Sequence, residues 1–334
     1  MNENVRTDRM GDYMSDRKIE KILVTGSVGQ IGSELTEELR NRYGSDNVVA
    51  MGRRTKPSEE LLNSGPFVWC DITDRDKLNI IVDEYEVDTI FHMAAILSAV
   101  GEKNPQLAYR VNMNGLYNIL EIARERELRI FGPSSIAAFG PETPRDNTPQ
   151  ETVLRPRTMY GVTKVAGELL CDYYFNRFGV DVRGLRYPGI ISYKTLPGGG
   201  TTDYAVAIYY EAIKHGRYTC FVGPETMLPM MYMPDCIKAT IDIMEAPLEN
   251  LVHHSDFNVG AMSFSARELA ASIKEFIPEF ECSYEPDFRQ AIADSWPKSV
   301  DDSAARNEWG WVPQYDLPAM TEDMLYNLRI KLAE

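Results

Sequence analysis

The sequence predicts an α/β fold: a doubly wound parallel sheet with a smaller C-terminal region interleaved with its last elements. Over residues 19–190, short apolar runs alternate with amphipathic helical stretches, a pattern typical of parallel strands joined by right-handed helical crossovers. A glycine-rich turn separates the first apolar run from the first helix. The alternation continues to a strand predicted at residues 182–186 and weakens beyond Ile191. Residues 191–334 are therefore predicted to form mainly a second region, with helices over 204–215 and 266–276. Residues about 229–245 are predicted to return to the first domain, where 230–233 would rejoin its sheet.

The composition excludes several kinds of partner. The 334 residues carry 50 acidic and 35 basic side chains, and the net charge of −15 argues against nucleic acid or an anionic membrane as a partner. No apolar run approaches the length that crosses a membrane. The five cysteines form no CxxC pair and the four histidines form no HExxH motif, so no metal site is predicted. Residues 1–18 are polar, and we expect them to form a disordered arm.

The first apolar run, Ile22–Val24, leads into three glycines with the spacing G-x-x-G-x-x-G. Gly26 allows a tight turn, Gly29 lets the backbone approach a pyrophosphate, and Gly32 lets the following helix pack closely on the strand. That helix is predicted to extend through Arg42, and the free N–H groups at its start favour phosphate. A strand, a glycine turn and a helix in this order predict a dinucleotide-binding Rossmann domain over residues 19–190.

The second predicted strand, residues 47–51, is followed by Gly52, Arg53 and Arg54. A site for NAD usually presents an acidic side chain here to the ribose 2′-hydroxyl, whereas arginine suits the 2′-phosphate of NADP. These residues by themselves therefore favour NADP. Two arginines that are merely solvated at the surface, with no ligand to bind, would explain the pattern about equally well.

The next three predicted strands each end in residues that could border a flat ligand. Because the carboxyl ends of parallel strands lie at one edge of a sheet, these residues are expected to lie close together. The predicted helix 108–127 adds Asn112 to the same region. The strand-end residues are Asp71 and Ile72, then Met93, Ala94 and Ala95, then Ser134 and Ser135.

A helix predicted from Tyr160 to about Phe178 presents Tyr160 and Lys164 on one face, since they are four residues apart. An ammonium group beside a phenol favours the phenolate, and we expect it to lower the phenol pKa towards the range that suits proton transfer at neutral pH. The pair is therefore a candidate base and its activator. An apolar stripe lies on the opposite side of the helix and comprises Val162, Val165, Ala166, Leu169, Leu170 and Tyr173.

Together these motifs resemble the extended short-chain dehydrogenase/reductase superfamily, and the resemblance extends over residues 20–330. Within that superfamily the chain is most similar to the short-chain type of L-threonine 3-dehydrogenase. The segments that carry this similarity are RPRTMYGVTK (155–164), RYPGII (186–191), PGGGTTDYA (197–205), LPMMYM (228–233), SWP (295–297) and DDS (301–303).

The resemblance implies site residues as well as a fold. The implied catalytic residues are Ser135, Tyr160 and Lys164; Ser134 is the alternative hydroxyl, but Ser135 lies 25 residues before the tyrosine, which matches the family spacing better. Substrate contacts are expected at Ser98, Ser135, Tyr160, Thr201, Thr202 and Trp296. Cofactor contacts are expected at Gly26, Gly29, Gln30, Ile31, Arg53, Asp71, Ile72, Met93, Ala94, Ala95, Asn112, Tyr160, Lys164, Tyr187 and Pro188.

The family usually has an acidic residue at the position of Gly52 and uses NAD. We favour NAD here too, because Arg53 can stack on adenine without a 2′-phosphate, and NADP stays open because of Gly52 and Arg53. The activity implied is NAD-dependent oxidation of L-threonine to 2-amino-3-oxobutanoate, a step of threonine catabolism, with Tyr160 as general base.

Two alternatives remain. A nucleotide-sugar epimerase or dehydratase shares the fold and the three catalytic residues, but it needs basic side chains for the substrate pyrophosphate. An arginine commonly stands just before the Tyr232 region in such enzymes, where this chain has Met230 and Met231. A non-catalytic dinucleotide-sensing protein usually lacks the tyrosine or the lysine, and this chain keeps both.

The resemblance also bears on assembly and location. Members are commonly homodimers through the helix that bears Tyr160, and the apolar stripe on that helix suits either such an interface or ordinary core. We expect a homodimer. The implied compartment is the mitochondrial matrix in a eukaryotic host and the cytoplasm in a bacterial one.

Overall fold

The computed structural model describes residues 18–196 and 200–333 and has a six-stranded sheet at its centre. Its strands are β1 (Ile22–Thr25), β2 (Val48–Gly52), β3 (Phe67–Trp69), β4 (Thr89–His92), β5 (Arg129–Phe131) and β7 (Val182–Arg183). Their order is β3-β2-β1-β4-β5-β7, and all neighbouring strands are parallel. The predicted doubly wound fold is confirmed. The predicted arm lies outside the described residues, apart from Lys18.

Seven helices accompany these strands. The predicted helix 108–127 is interrupted, because a π-helical turn at Arg110–Asn114 separates two α-helices and contains Asn112. Widened turns of this kind are frequent at functional sites. The helices are α1 (Gln30–Tyr43), α2 (Glu59–Asn63), α3 (Arg75–Glu84), α4 (Ser98–Lys103), α5 (Pro105–Tyr109), α6 (Gly115–Arg126) and α7 (Met159–Phe178).

Alternate strand residues supply the core on the two faces of the sheet. Leu23 and Ile90 pack on one face, and Val24 and Phe91 pack on the other. Both faces are buried because helices cover both, which explains why the strands are continuous apolar runs rather than alternating ones.

The predicted strand 182–186 is split at Gly184. A Cβ atom at this glycine would lie 2.4 Å from the Gly132 carbonyl oxygen and 2.5 Å from that of Ser255, so only a glycine lets the three backbones approach. The chain therefore leaves the large sheet after β7 and continues as β8 (Leu185–Tyr187). Strand β8 pairs with β6 (Ser134–Ser135) and β12 (Phe257–Asn258) in a separate small sheet. This small sheet brings Ser134 and Ser135 beside Arg186 and Tyr187.

In the described part of the chain, the remaining elements form two further small sheets and six α-helices. Strand β11 (Met227–Tyr232) pairs with β9 (Gly189–Ile191) and β13 (Met262–Ser265), so the expectation that residues 230–233 rejoin the large sheet is wrong. The other strands are β10 (Arg217–Cys220) and β14 (Glu281–Tyr284). The helices are α8 (Tyr204–His215), α9 (Met233–Glu245), α10 (Ala266–Phe276), α11 (Arg289–Ala293), α12 (Ser303–Trp309) and α13 (Leu317–Ala333).

Helix α9 packs against α1, and its buried residues join the core on the Val24 face of the large sheet. A third core surrounds helix α8, where Tyr204 and Tyr209 are fully buried. None of the helices in the described part of the chain is long and apolar enough to cross a membrane.

Candidate active site

The glycine turn has the geometry that a dinucleotide needs. Gly26 has a φ of +68°, and a Cβ atom there would lie 2.7 Å from the backbone nitrogen of Ala94. A Cβ atom on Gly32 would lie 2.2 Å from the Gly26 carbonyl oxygen, so α1 packs against the turn only because this residue has no side chain. Helix α1 begins at Gln30 with no side-chain cap on its first N–H groups. These N–H groups, at the positive end of the helix, fit a pyrophosphate.

A cavity of about 230 Å³ lies between this turn, α7 and the segment that leads into α8. Of the described residues that line it, Lys164 is the only cation. Predicted site residues in its lining are Gly26, Gly29, Gln30, Ile31, Met93, Ala95, Ser98, Ser135, Tyr160, Lys164, Tyr187, Pro188, Thr201, Thr202 and Trp296.

The other predicted cofactor residues lie elsewhere. Ala94 and Asn112 line a much smaller cavity behind Lys164. The Asn112 side chain bonds both backbone groups of Ile96, at 2.8 and 3.1 Å, and donates to Thr163 Oγ1, so it braces the loop after β4 against α7. Arg53, Asp71 and Ile72 follow β2 and β3, where Arg53 Nη1 lies 3.1 Å from Asp71 Oδ2.

Helix α7 brings Tyr160 and Lys164 to the cavity. The Thr158 hydroxyl oxygen caps the helix by accepting a hydrogen bond from the Gly161 N–H at 3.1 Å. The side chain of Ser135 lies close enough to Tyr160 to act on the pKa of the phenol. Lys164 Nζ lies 5.4 Å from the centre of the Tyr160 ring and donates to the Pro133 carbonyl oxygen at 2.6 Å. The three side chains that the resemblance assigns to catalysis therefore meet at one wall of the cavity.

The pKa values of this pair differ from the expectation. Burial raises the pKa of Tyr160 to about 12, and the side chain of Ser135 offsets only part of that rise. Burial also lowers the pKa of Lys164 to about 8, although nearby Glu168 opposes the change. The expected lowering of the phenol pKa is therefore wrong for the protein alone, because removal from water outweighs attraction to an ammonium group held by Pro133.

The structure separates the two candidate serines. The Ser134 hydroxyl donates a short hydrogen bond to Glu168 Oε1, away from Tyr160. The Ser135 hydroxyl oxygen accepts from the Ala137 N–H at 3.2 Å, and its side chain acts on the pKa of Tyr160. Of the two serines, Ser135 is thus the one that faces Tyr160, and its catalytic role stays a prediction.

Glu168 and Arg186 form a buried ion pair that the sequence reasoning missed. Arg186 Nε and Nη2 donate to the two Glu168 oxygens at 3.0 and 2.8 Å, and Nη2 also donates to Asp256 at 3.0 Å. The pair joins α7 to β8, and Glu168 lines the same small cavity as Lys164. A carboxylate one turn after Lys164, on the same face of the helix, is the sequence signal that could have indicated it.

Thr201 has a buried side chain whose hydroxyl bonds to no other described residue. Buried hydroxyl groups normally have a partner, and this one borders the cavity. It is therefore available to a ligand. The neighbouring backbone is held by Asp203, whose carboxylate accepts from the Gly200 N–H at 2.7 Å. Pro197, Gly198 and Gly199 of the predicted loop lie outside the described residues.

Part of the apolar stripe of α7 faces outward, whereas Leu170 packs against the core. Leu169 is 65% exposed and Tyr173 53% exposed, whereas the opposite face of the helix, with Glu168 and Cys171, is buried. Neighbouring helices add two more exposed aromatic residues, Tyr109 and Tyr117.

This fold and cavity define a dinucleotide-dependent enzyme of the extended short-chain dehydrogenase type, as the resemblance implied. The chain belongs to the NAD dependent epimerase/dehydratase family, whose model matches residues 22–260. A nicotinamide dinucleotide is therefore its cofactor class.

Particular relatives are closer still. The L-threonine dehydrogenase of Clostridium difficile is 55% identical, with a TM-score of 0.93 over 94% of this chain and 99% of that one. A monomeric L-threonine 3-dehydrogenase from a metagenome is 50% identical, with a TM-score of 0.90 over 94% of this chain and 100% of that one. An uncharacterized epimerase/dehydratase of Staphylococcus haemolyticus (strain JCSC1435) is 53% identical over 308 residues, 92% of this chain and 97% of that protein.

Proposed function

We propose that the chain oxidises L-threonine at its hydroxyl-bearing carbon and forms 2-amino-3-oxobutanoate. The observation that carries the proposal is the meeting of Ser135, Tyr160 and Lys164 at a cavity that adjoins the glycine turn. The similarity to solved L-threonine dehydrogenases over nearly the whole of both chains supports the choice of substrate.

In this proposal, Ser135 holds the threonine hydroxyl and Tyr160 takes its proton, a contribution worth about 10²–10⁴-fold in rate. Lys164 stays protonated through its contact with Pro133 and the charge of Glu168, and it stabilises the phenolate. A nicotinamide dinucleotide held beside these residues would supply the acceptor for the hydride of the hydroxyl-bearing carbon, and the positive charge of its oxidised ring would favour the phenolate. The glycine turn and the start of α1 hold the pyrophosphate, and Thr201 is free to bind a polar group of the amino acid.

The epimerase alternative fits this cavity less well. A sugar nucleotide carries a pyrophosphate of its own and needs cations in the substrate half of the site. Lys164 is the only cation among the described lining residues, and in the proposal it serves the phenol. Met230 and Met231 lie buried in β11. A purely sensing role explains neither Ser135 nor Tyr160.

The test is the absorbance of the reduced cofactor at 340 nm with L-threonine, for the wild type and for Tyr160→Phe. We expect Tyr160→Phe to lower kcat by at least about 100-fold, since it removes the proton acceptor, and to leave cofactor affinity within about twofold. Tyr326→Phe, at an exposed tyrosine of α13, is the matched control and should retain wild-type activity. A Tyr160→Phe enzyme that kept more than about a tenth of wild-type turnover would contradict the assignment of the base.

We also propose a homodimer formed by the exposed stripe on α7, because clustered exposed apolar side chains mark interaction surfaces. One relative at 50% identity is described as monomeric, so the similarity alone does not carry this proposal. Sedimentation equilibrium decides it, and a monomer at micromolar concentration would rule the homodimer out. The compartment stays a prediction.

A further inference from the structure

The end of strand β2 lies beside the glycine turn. The Ser27 N–H donates to the Met51 carbonyl oxygen at 3.1 Å, and a Cβ atom on Gly52 would lie 3.5 Å from a methyl group of Val28. In this fold class the adenosine ribose lies next to the pyrophosphate, at the end of this strand. The residues after Met51 are therefore the ones that meet the ribose 2′ position.

In the described part of the chain, the residues that follow Met51 at the end of β2 present no carboxylate. Position 52 is glycine, and the space for a side chain is filled, because its Cβ atom would lie 2.9 Å from the ring of Phe67. Phe67 is itself packed edge-on against Trp69, with ring centres 5.1 Å apart. An acidic side chain at this position would have to displace that ring. The usual acceptor for the 2′-hydroxyl of NAD is thus missing from the end of β2.

The carboxylate of Asp71, which pairs with Arg53, is already engaged. Its Oδ1 accepts from the Thr73 N–H at 3.0 Å and from the Thr73 hydroxyl at 2.8 Å, and its Oδ2 accepts from Arg53 at 3.1 Å. Burial by itself would raise the pKa of Asp71, but the hydrogen bonds from Thr73 and the charge of Arg53 outweigh it and lower the pKa, so the carboxyl group is ionised. Asp71 therefore orients the Arg53 guanidinium group and is not available to accept a hydrogen bond from a ribose hydroxyl.

Cations replace the missing acid. Arg53, Arg54 and Lys56 are all exposed, and no acidic residue lies between positions 52 and 58. In a chain with a net charge of −15, this local concentration of positive charge is unusual. A guanidinium group binds phosphate oxygens through two parallel hydrogen bonds and stays charged at any pH of interest.

We propose that Gly52, Arg53 and Arg54 form a subsite for the 2′-phosphate of the adenosine ribose, so that the chain binds NADP in preference to NAD. The inference rests on the proposed function and deepens it by naming the cofactor. It replaces the expectation that Arg53 stacks on the adenine of NAD. The family is described as NAD dependent.

The test measures binding without threonine. NADPH and NADH are titrated separately, and energy transfer from the protein's four tryptophans to the reduced nicotinamide reports binding. We expect NADPH to bind at least about tenfold more tightly than NADH, as one good charge-assisted contact provides. Arg53→Ala/Arg54→Ala should weaken NADPH binding by about 10–100-fold and leave NADH binding within about twofold, because only NADPH carries the phosphate. Arg267→Ala, an exposed arginine of α10 paired with Glu225, is the matched control and should change neither.

Two results would overturn the inference: NADH binding as tightly as NADPH, or a double variant that weakens both cofactors equally. Circular dichroism verifies that the double variant is folded, as expected for two exposed positions. The binding measurement gives its result whether or not the chain oxidises threonine, so the failure of the subsite and the failure of the proposed reaction can be told apart. Threonine oxidation with NAD alone would support the reaction and refute the subsite, whereas selective NADPH binding without threonine oxidation would do the reverse.

Discussion

Replacing Glu168 by alanine should destabilise the protein far more than replacing an exposed acid does. Glu168 is buried, and both of its oxygens accept hydrogen bonds from Arg186, while one also accepts from Ser134. The variant leaves the buried guanidinium group without its main counter-ion and leaves the Ser134 hydroxyl without its acceptor. Removing one partner of a buried ion pair costs about 3–5 kcal/mol, and a stranded buried hydroxyl adds about 1–3 kcal/mol.

Part of that cost is offset in this structure. Asp256 lies 3.0 Å from Arg186 Nη2 and keeps neutralising it, and the backbone oxygen of Gln150 accepts from Nη1 at 2.9 Å. We therefore expect a loss of about 3 kcal/mol for Glu168→Ala, less than the about 4–8 kcal/mol that the two costs would total without this compensation. Native domains have about 5–15 kcal/mol of stability, so the variant should still fold.

The assay is urea unfolding followed by tryptophan fluorescence. Glu142→Ala is the control, since Glu142 forms an exposed pair with Arg157 and its loss should produce no measurable change. The triple variant Glu168→Leu/Arg186→Met/Asp256→Asn should recover part of the stability, because it removes the buried guanidinium group together with both carboxylates that pair with it. A loss below about 1 kcal/mol for Glu168→Ala, or a triple variant less stable than that single variant, would refute the reasoning.

Two further predictions concern the cavity. Thr201→Val should raise the KM for L-threonine about tenfold, because it removes a hydroxyl that borders the cavity. The free energy of unfolding should not fall, because this buried hydroxyl has no described partner to lose. An unchanged KM would exclude Thr201 as a substrate contact. Burial lowers the pKa of Lys164 from 10.5 to about 8. Between about pH 8 and pH 10.5, Lys164 is therefore protonated in the unfolded chain and deprotonated in the folded one, so the free energy of unfolding rises with pH. From about pH 7.5 to about pH 9.5, the stability of the wild type relative to Lys164→Met should rise by about 2 kcal/mol, and a difference independent of pH would show that Lys164 is not buried as described.

Much of the fold could be predicted because its signals are local. The bounds predicted for α8 and α10 agree with the structure, and the start of α10 has a capping box in which Ser265 and Glu268 bond each other's backbone. The large sheet could be predicted for a similar reason, since strand, turn and helix repeat in order along the chain. The splitting of strand 182–186 could not, because the close approach of Gly132 and Ser255 to Gly184 joins segments distant in sequence.

The same distinction between local and long-range information applies to the candidate site. The sequence by itself determined which chemical groups are available: the glycine turn, a phenol and an ammonium group four residues apart, and the cations after β2. Periodicity and spacing carry that information, because they depend on backbone geometry alone. Only the tertiary structure decided which of two serines meets Tyr160, that Glu168 is neutralised by Arg186, and that the stripe with Leu169 faces outward. The sign of the Tyr160 pKa shift was likewise a matter of burial, and burial depends on segments that no local pattern brings together.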